Sequence, residues 1–267
     1  MERMQRAIEK AREQRQKTTP PPSAPVKPRP TPSVAAQTRA VPLSEATLAQ
    51  NRLVARSTDD AAADIFRVLR TQVLQQMTTE GYSTLAVISC NPSEGKSLVA
   101  ANLAVSLAMD VKQTVLLADL DFRHPSVHRY FGIVPETGLS DYLNDGTPLA
   151  DCLLRPDLER LVLLPINKPV DGPAEMLATP KMTALAQELK SRYADRIIIY
   201  DMPPLLTTSD TLAFLPHLDA VLLVVEERRT TEDDLKRAMR LLAGHTLIGT
   251  VVNKSATPTL SETYNRR

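Results

Sequence analysis

A short apolar run, Leu85 to Ser89, breaks into a tight loop, Cys90 to Gly95. A Lys96-Ser97 pair follows and opens a long Ala/Leu/Val segment, Leu98 to Met109. The first run has the length and bounds of a buried strand, and the second is long enough for a helix. A strand turning straight into a helix through Gly-Lys-Ser is the context of a phosphate-binding P-loop. Backbone N–H groups of such a loop form an anion nest, and the helix N-terminus adds a partial positive charge. In this reading Asn91, Pro92, Ser93, Glu94, Gly95, Lys96, Ser97 and Leu98 surround the phosphates of ATP. Lys96 reaches the β- and γ-phosphates, and the Ser97 hydroxyl ligates Mg²⁺. The pattern G-x-x-x-x-G-K-[ST] begins with Gly, and here Cys90 takes that place.

The rest of the chain supplies the frame such a loop needs. Further apolar runs at 114–119, 161–165, 196–200, 220–225 and 247–252 read as strands buried on both faces. Helical patterns lie between most of them, at 97–110, 140–144, 180–192, 209–215 and 231–243. A further helix begins near Thr58 and carries an apolar stripe of Ile65, Leu69 and Val73. This alternation predicts an α/β fold, a P-loop NTPase with a doubly wound, mostly parallel sheet flanked by helices, over residues 58–254.

Two of the strands end in carboxylates. Asp119 and Asp121 follow Val115 to Ala118, and Asp201 follows Ile197 to Tyr200. In a parallel sheet these ends share an edge with the P-loop. Asp119 and Asp201 are placed to hold Mg²⁺ with Ser97, while Asp121 or Asp119 accepts a proton from an attacking hydroxyl. Lys96, Asp119, Asp121 and Asp201 are thus the catalytic candidates. Pro203 and Pro204 end the strand at 196–200 in a rigid turn. Asn253, after the last strand, serves either the nucleotide base or a turn.

The flanks differ in character. Residues 1–42 hold nine Lys/Arg against three Glu, a net +6 on a chain of net +1, so the remainder is slightly acidic. Residues 1–17 read as a short basic amphipathic helix, with Met1, Met4, Ile8 and Ala11 on one face. Residues 18–57 read as a Pro-rich, disordered linker, and 255–267 as a flexible tail. No nucleic-acid partner is expected. The N-terminus lacks the apolar core of a signal peptide, and with only Cys90 and Cys152 present a reducing cytoplasm is the expected compartment.

Taken together, these residues resemble the bacterial tyrosine kinases known as BY-kinases. Ser89, Pro92, Glu94, Gly95, Lys96 and Ser97 fit the family's S-x-x-P-x-E-G-K-S loop. Asp119, Asp121 and Arg123 fit its D-x-D-x-R, and Asp201, Pro203 and Pro204 its D-x-P-P. Gly138 to Leu143 and Pro173 to Leu177 match two further signatures between them. The resemblance implies an ATP-dependent protein-tyrosine (auto)kinase that regulates exopolysaccharide or capsule polymerisation and export. It implies a membrane polysaccharide co-polymerase as activating partner, a homo-oligomeric ring and a cognate tyrosine phosphatase. The chain would then sit in the cytoplasm, at the inner face of the plasma membrane, through the partner or the basic N-terminal arm.

Three departures accompany the resemblance. The family's ring-forming E-x-x-R-x-x-R reads Asp64, Arg67 and Arg70 here. Its C-terminal tyrosine cluster is reduced to Tyr264, which is either a single phospho-acceptor or leaves the acceptor on another protein. A separate alternative is a nucleotide-dependent regulatory partner of the co-polymerase with little kinase activity. The related partitioning and division-site ATPases carry a lysine four residues before the last P-loop glycine, and that position is Asn91.

Overall fold

The computed structural model describes residues 39–57, 61–110, 112–192 and 196–256. In chain order the elements begin with β1 (Arg39–Val41), α1 (Glu45–Gln50), α2 (Ala61–Glu80), β2 (Thr84–Ser89), α3 (Lys96–Ala108) and β3 (Thr114–Asp119). Next come α4 (Val127–Tyr130), α5 (Leu139–Asp145), α6 (Leu149–Cys152), β4 (Leu154–Pro156) and β5 (Leu161–Leu164). The chain continues through α7 (Pro173–Leu177), α8 (Pro180–Arg192), β6 (Arg196–Asp201) and α9 (Asp210–Phe214). It closes with a 3₁₀ turn (Leu215–His217), β7 (Ala220–Glu226), α10 (Glu232–Leu241) and β8 (Leu247–Asn253).

The strands form one sheet in the order β1-β4-β5-β3-β6-β2-β7-β8. All neighbours run parallel except β4 and β5. Central strands β2, β3 and β6 are apolar and almost wholly buried, as strands covered on both faces must be. β6 lies between β3 and β2, and its register pairs Asp201 with Asp119 on one side and with Val87 on the other. That register sets the two carboxylates side by side, next to the strand that feeds the P-loop.

α3 is buried over twelve of its thirteen residues. An all-round apolar helix needs cover on every side. The sheet supplies part of it, and α2 supplies more through Val73 and Met77. The remainder comes from residues 48–55, where Leu48, Leu53 and Ala55 are buried in the same core.

This last contact corrects the expected linker. Residues 39–57 are not extended spacer: β1 pairs with β4, and α1 is capped by Ser44, whose Oγ accepts from the Thr47 N–H at 3.4 Å. Burying Leu48 and Leu53 is worth roughly 1.5–3 kcal/mol each, enough to order a short segment against α3. The expected basic helix at 1–17, the linker up to residue 38, the tail from 257 and Tyr264 lie outside the described residues. Among the described residues, no helix is long and apolar enough to cross a membrane.

Candidate active site

The P-loop is shaped by two residues in the left-handed backbone region, Ser93 (φ 66°) and Gly95 (φ 96°). At Gly95 a side chain is excluded twice over. The dihedral disfavours it, and a Cβ would stand 2.0 Å from Nδ2 of Asn253. The Asn253 amide is there because Nδ2 donates to the Glu94 carbonyl at 2.8 Å. Lys254 braces the same loop, its Nζ donating to the Ser93 carbonyl at 2.8 Å and to Glu226 Oε2 at 2.9 Å.

Glu94 is completely buried beneath the loop. Its carboxylate accepts from the Asn91 N–H at 3.0 Å, from Asn91 Nδ2 at 3.3 Å and from the Thr230 hydroxyl at 2.6 Å. The Asn91 side chain is therefore turned inward against its own loop. Cys90, behind the loop, has its thiol pushed up to about 12 by burial and by nearby Glu94, so it stays protonated and is no nucleophile.

The predicted groups converge on Lys96 and Ser97, at the start of α3. Lys96 Nζ donates to Asp121 Oδ2 at 2.8 Å and to Ser97 Oγ at 3.1 Å, and lies 3.5 Å from Asp201 Oδ1. Burial alone would lower the Lys96 ammonium, but the Asp201 and Asp121 carboxylates outweigh it and hold it above its usual value. Asp119 accepts three backbone N–H groups, from Asp121 (3.1 Å), Ser126 (2.9 Å) and Val127 (3.0 Å). Burial and the neighbouring Asp201 still raise its carboxyl. Asp121 Oδ1 accepts the His124 N–H at 3.0 Å, so both of its oxygens are partnered.

Asp201 differs from the other two. It is fully buried, and neither oxygen has a hydrogen bond of normal geometry. Burial raises its carboxyl, and the Lys96 charge and Ser97 hydroxyl offset this only in part. Buried carboxylate oxygens that make no hydrogen bond of normal geometry, beside a hydroxyl, fit the oxygen-donor shell that Mg²⁺ requires. By the same criterion Asp119, already taken up by three N–H groups, is less a ligand than a brace for the loop from 121 to 127.

The other expected residues are placed as follows. Pro92, Ser93, Leu98 and Asn253 flank the cleft, with Ser93, Leu98 and Asn253 lining it. Asn253 combines two roles: its amide nitrogen holds the P-loop, while the residue borders the cleft. Asp64 pairs with Arg67 on its own helix, Arg67 Nη2 donates to the Ser57 carbonyl at 2.6 Å, and Arg70 Nη1 donates to the Ser106 carbonyl at 3.0 Å. Those arginines make contacts within the chain. Tyr200 is buried in the core, so its hydroxyl is closed off from an incoming phosphoryl group in the folded chain.

Four site residues were not singled out from sequence. Arg52, Tyr130 and Lys254 line the cleft, which encloses about 450 Å³. Asp210 is buried and holds Arg123. Only Lys254, next to Asn253 at a strand end, carried a positional signal.

The chain matches no protein-family model. It is 30% identical over 190 residues to the tyrosine-protein kinase YwqD of Bacillus subtilis, across 70% of this chain and 79% of that protein. It is 28% identical over 191 residues to the putative tyrosine-protein kinase CapB of Staphylococcus aureus, covering 71% of this chain and 82% of CapB. Against the putative tyrosine-protein kinase EpsB of Ralstonia solanacearum it is 31% identical over 193 residues, 72% of this chain but 25% of EpsB. Among solved structures, the chimerical protein CapA2B2 superposes with a TM-score of 0.71 at 25% identity, over 82% of this chain and 94% of the other. The kinase domain of the Escherichia coli tyrosine kinase ETK does so with a TM-score of 0.69 at 25% identity, over 82% and 92%. With its P-loop, its paired strand-end carboxylates and these relatives, the chain belongs to the bacterial tyrosine-protein kinases.

Proposed function

We propose that the chain binds MgATP in this cleft and transfers the γ-phosphoryl group to a tyrosine hydroxyl. The observation that carries the reading is the meeting of Lys96, Ser97, Asp121 and Asp201 in one buried cluster under the P-loop. Lys96 neutralises charge on the β- and γ-phosphates. Ser97 and Asp201 would hold the metal, and Mg²⁺ when bound supplies further charge neutralisation. Asp121, beside Lys96, accepts the proton as the tyrosine oxygen bonds to phosphorus and the bond to the β-phosphate bridging oxygen breaks, leaving ADP. Most of the barrier reduction comes from positioning and from charges held in a dry site.

Regulation of exopolysaccharide or capsule export follows from the family. The chain spans about a quarter of the length of EpsB, and a membrane polysaccharide co-polymerase as activating partner is part of the proposal. Assembly into a ring through Asp64, Arg67 and Arg70 would require those side chains to leave the contacts they make within the chain. Tyr264 is the proposed acceptor.

The test is incubation of the full chain with MgATP, alone and with a Glu/Tyr copolymer, followed by phosphosite mapping by mass spectrometry. Phosphotyrosine that disappears in Asp121→Asn supports the reading. Absence of phosphotyrosine from both chain and copolymer overturns it. Modification of the copolymer that persists in Tyr264→Phe would move the acceptor off this chain.

A further inference from the structure

Lys96 is not the only cation at the cleft. Arg52, from the segment before α2, lines it together with Ser93, Leu98, Tyr130 and Lys254. The Arg52 backbone is left-handed, with φ 58°, a conformation that is unfavourable for a residue bearing a side chain. Asn102, completely buried in α3, holds it there. Its Nδ2 donates to the carbonyls of Arg52 and Leu98, both at 3.0 Å. Its Oδ1 accepts the N–H groups of Val54 (2.9 Å) and Ala55 (3.1 Å). All four hydrogen-bonding positions of a buried amide are thus used, three of them on residues 52–55. Asn51 adds a second tether, Nδ2 donating to the Arg129 carbonyl at 2.7 Å and the Tyr130 carbonyl at 3.2 Å.

The Arg52 side chain stands in contrast. It is exposed, and its guanidinium has no hydrogen bond or ion pair among the described residues. Lys254 is shared between the Ser93 carbonyl and Glu226, and Lys96 lies between Asp121 and Asp201. A buried amide and an unfavourable dihedral therefore fix an unpartnered cation to the helix that begins at the P-loop. A guanidinium presents paired N–H donors that match phosphate oxygens.

We propose that Arg52 is a phosphate-binding residue of the nucleotide site, held in place by Asn102. This rests on the MgATP reading and adds to it a residue outside the P-loop and the carboxylate motifs. The experiment measures displacement of a fluorescent ATP analogue from the full chain by MgATP and by magnesium tripolyphosphate. Wild type is compared with Arg52→Ala, Arg52→Lys, Asn102→Ala and the Arg52→Ala/Asn102→Ala double variant, with thermal melting as a folding control. Arg52→Ala should weaken both ligands by about tenfold or more, the loss expected for a charged hydrogen bond, and Arg52→Lys should recover part of it. Asn102→Ala should weaken binding too, and the double variant should bind no worse than Asn102→Ala alone.

Wild-type affinity in folded Arg52→Ala overturns the proposal and leaves the MgATP reading intact. A loss confined to MgATP, with tripolyphosphate unaffected, moves Arg52 to the base or ribose and overturns the phosphate assignment. Additive losses in the double variant overturn the role given to Asn102. A wild-type chain that binds no MgATP brings down the underlying reading and this one with it.

Discussion

Arg123 and Asp210 form a two-point ion pair, Nε donating to Oδ2 at 2.8 Å and Nη2 to Oδ1 at 3.1 Å. Asp210 is completely buried at the start of α9, while Arg123 remains partly open to water. The pair joins the segment that follows Asp121 to the segment that follows Asp201. Both carboxylate-bearing turns are thereby tied together above the sheet edge.

Arg123→Ala leaves the Asp210 carboxylate buried and unpaired, and should destabilise the chain by about 1–3 kcal/mol. Arg123→Lys should recover only part, because an ammonium cannot make the parallel two-point contact. Urea unfolding measures both, and an unchanged midpoint in Arg123→Ala would show that the pair contributes nothing.

Asp201→Asn should raise stability at neutral pH while removing activity. Burial raises the Asp201 carboxyl in the folded chain. A folded value above the unfolded one means that the group's stabilisation is complete below the unfolded value, near 3.9, and is lost as pH rises through the folded value. At neutral pH, where the unfolded carboxyl is ionised, keeping this group buried is therefore a cost that the amide lacks. Thermal melting should show a higher Tm for the variant, by about 2–4 °C per kcal/mol for a chain of this size. Phosphotransfer should fall by about 100-fold or more, since the group would hold the Mg²⁺ that neutralises phosphate charge. A lower Tm would contradict the account of this site.

Gly95→Ala should abolish nucleotide binding through the backbone. The new Cβ meets Asn253 Nδ2 at 2.0 Å, at a φ of +96°. Combining it with Asn253→Gly removes the collision but not the dihedral strain, so binding should return only in part. Full recovery in the double variant, read by nucleotide titration, would mean that the φ requirement is unimportant.

Asp219 should govern the acid limb of the stability curve. Its Oδ2 accepts the N–H groups of Ser83 (3.0 Å) and Thr84 (3.1 Å) at the entry to β2, and Lys190 pairs with its other oxygen. Burial would raise this carboxyl, but Lys190 and those N–H groups outweigh it and hold it below the usual range. With the folded value below the unfolded one, the stabilisation is present above about pH 3.9 and is lost as pH falls through the folded value. Denaturation midpoints across the acid range should fall more steeply for wild type than for Asp219→Asn. Parallel curves would assign the acid limb to other groups.

Much of this molecule is legible in its residues taken in order. The apolar runs at 85–89, 114–119 and 196–200 are strands, and Gly95-Lys96-Ser97 does open a helix. Asp119, Asp121 and Asp201 stand at strand ends, where the change from apolar to charged residues marks them. Such features are local, because burial and chain termination leave their mark on a few consecutive residues. The placement of β6 between β3 and β2, which aligns Asp201 with Asp119, has no local signature, since register comes from packing between distant segments. The same holds for residues 39–57. Leu48, Leu53 and Ala55 are too few and too irregular to show a period, and they become core residues only because α3 needs cover on a side the sheet does not reach. Sequence alone thus determined the loop and its acids. Only tertiary structure decided that Arg52, Asn102 and Asp210 belong with them, because each acts through a contact that exists only once separate segments have packed together.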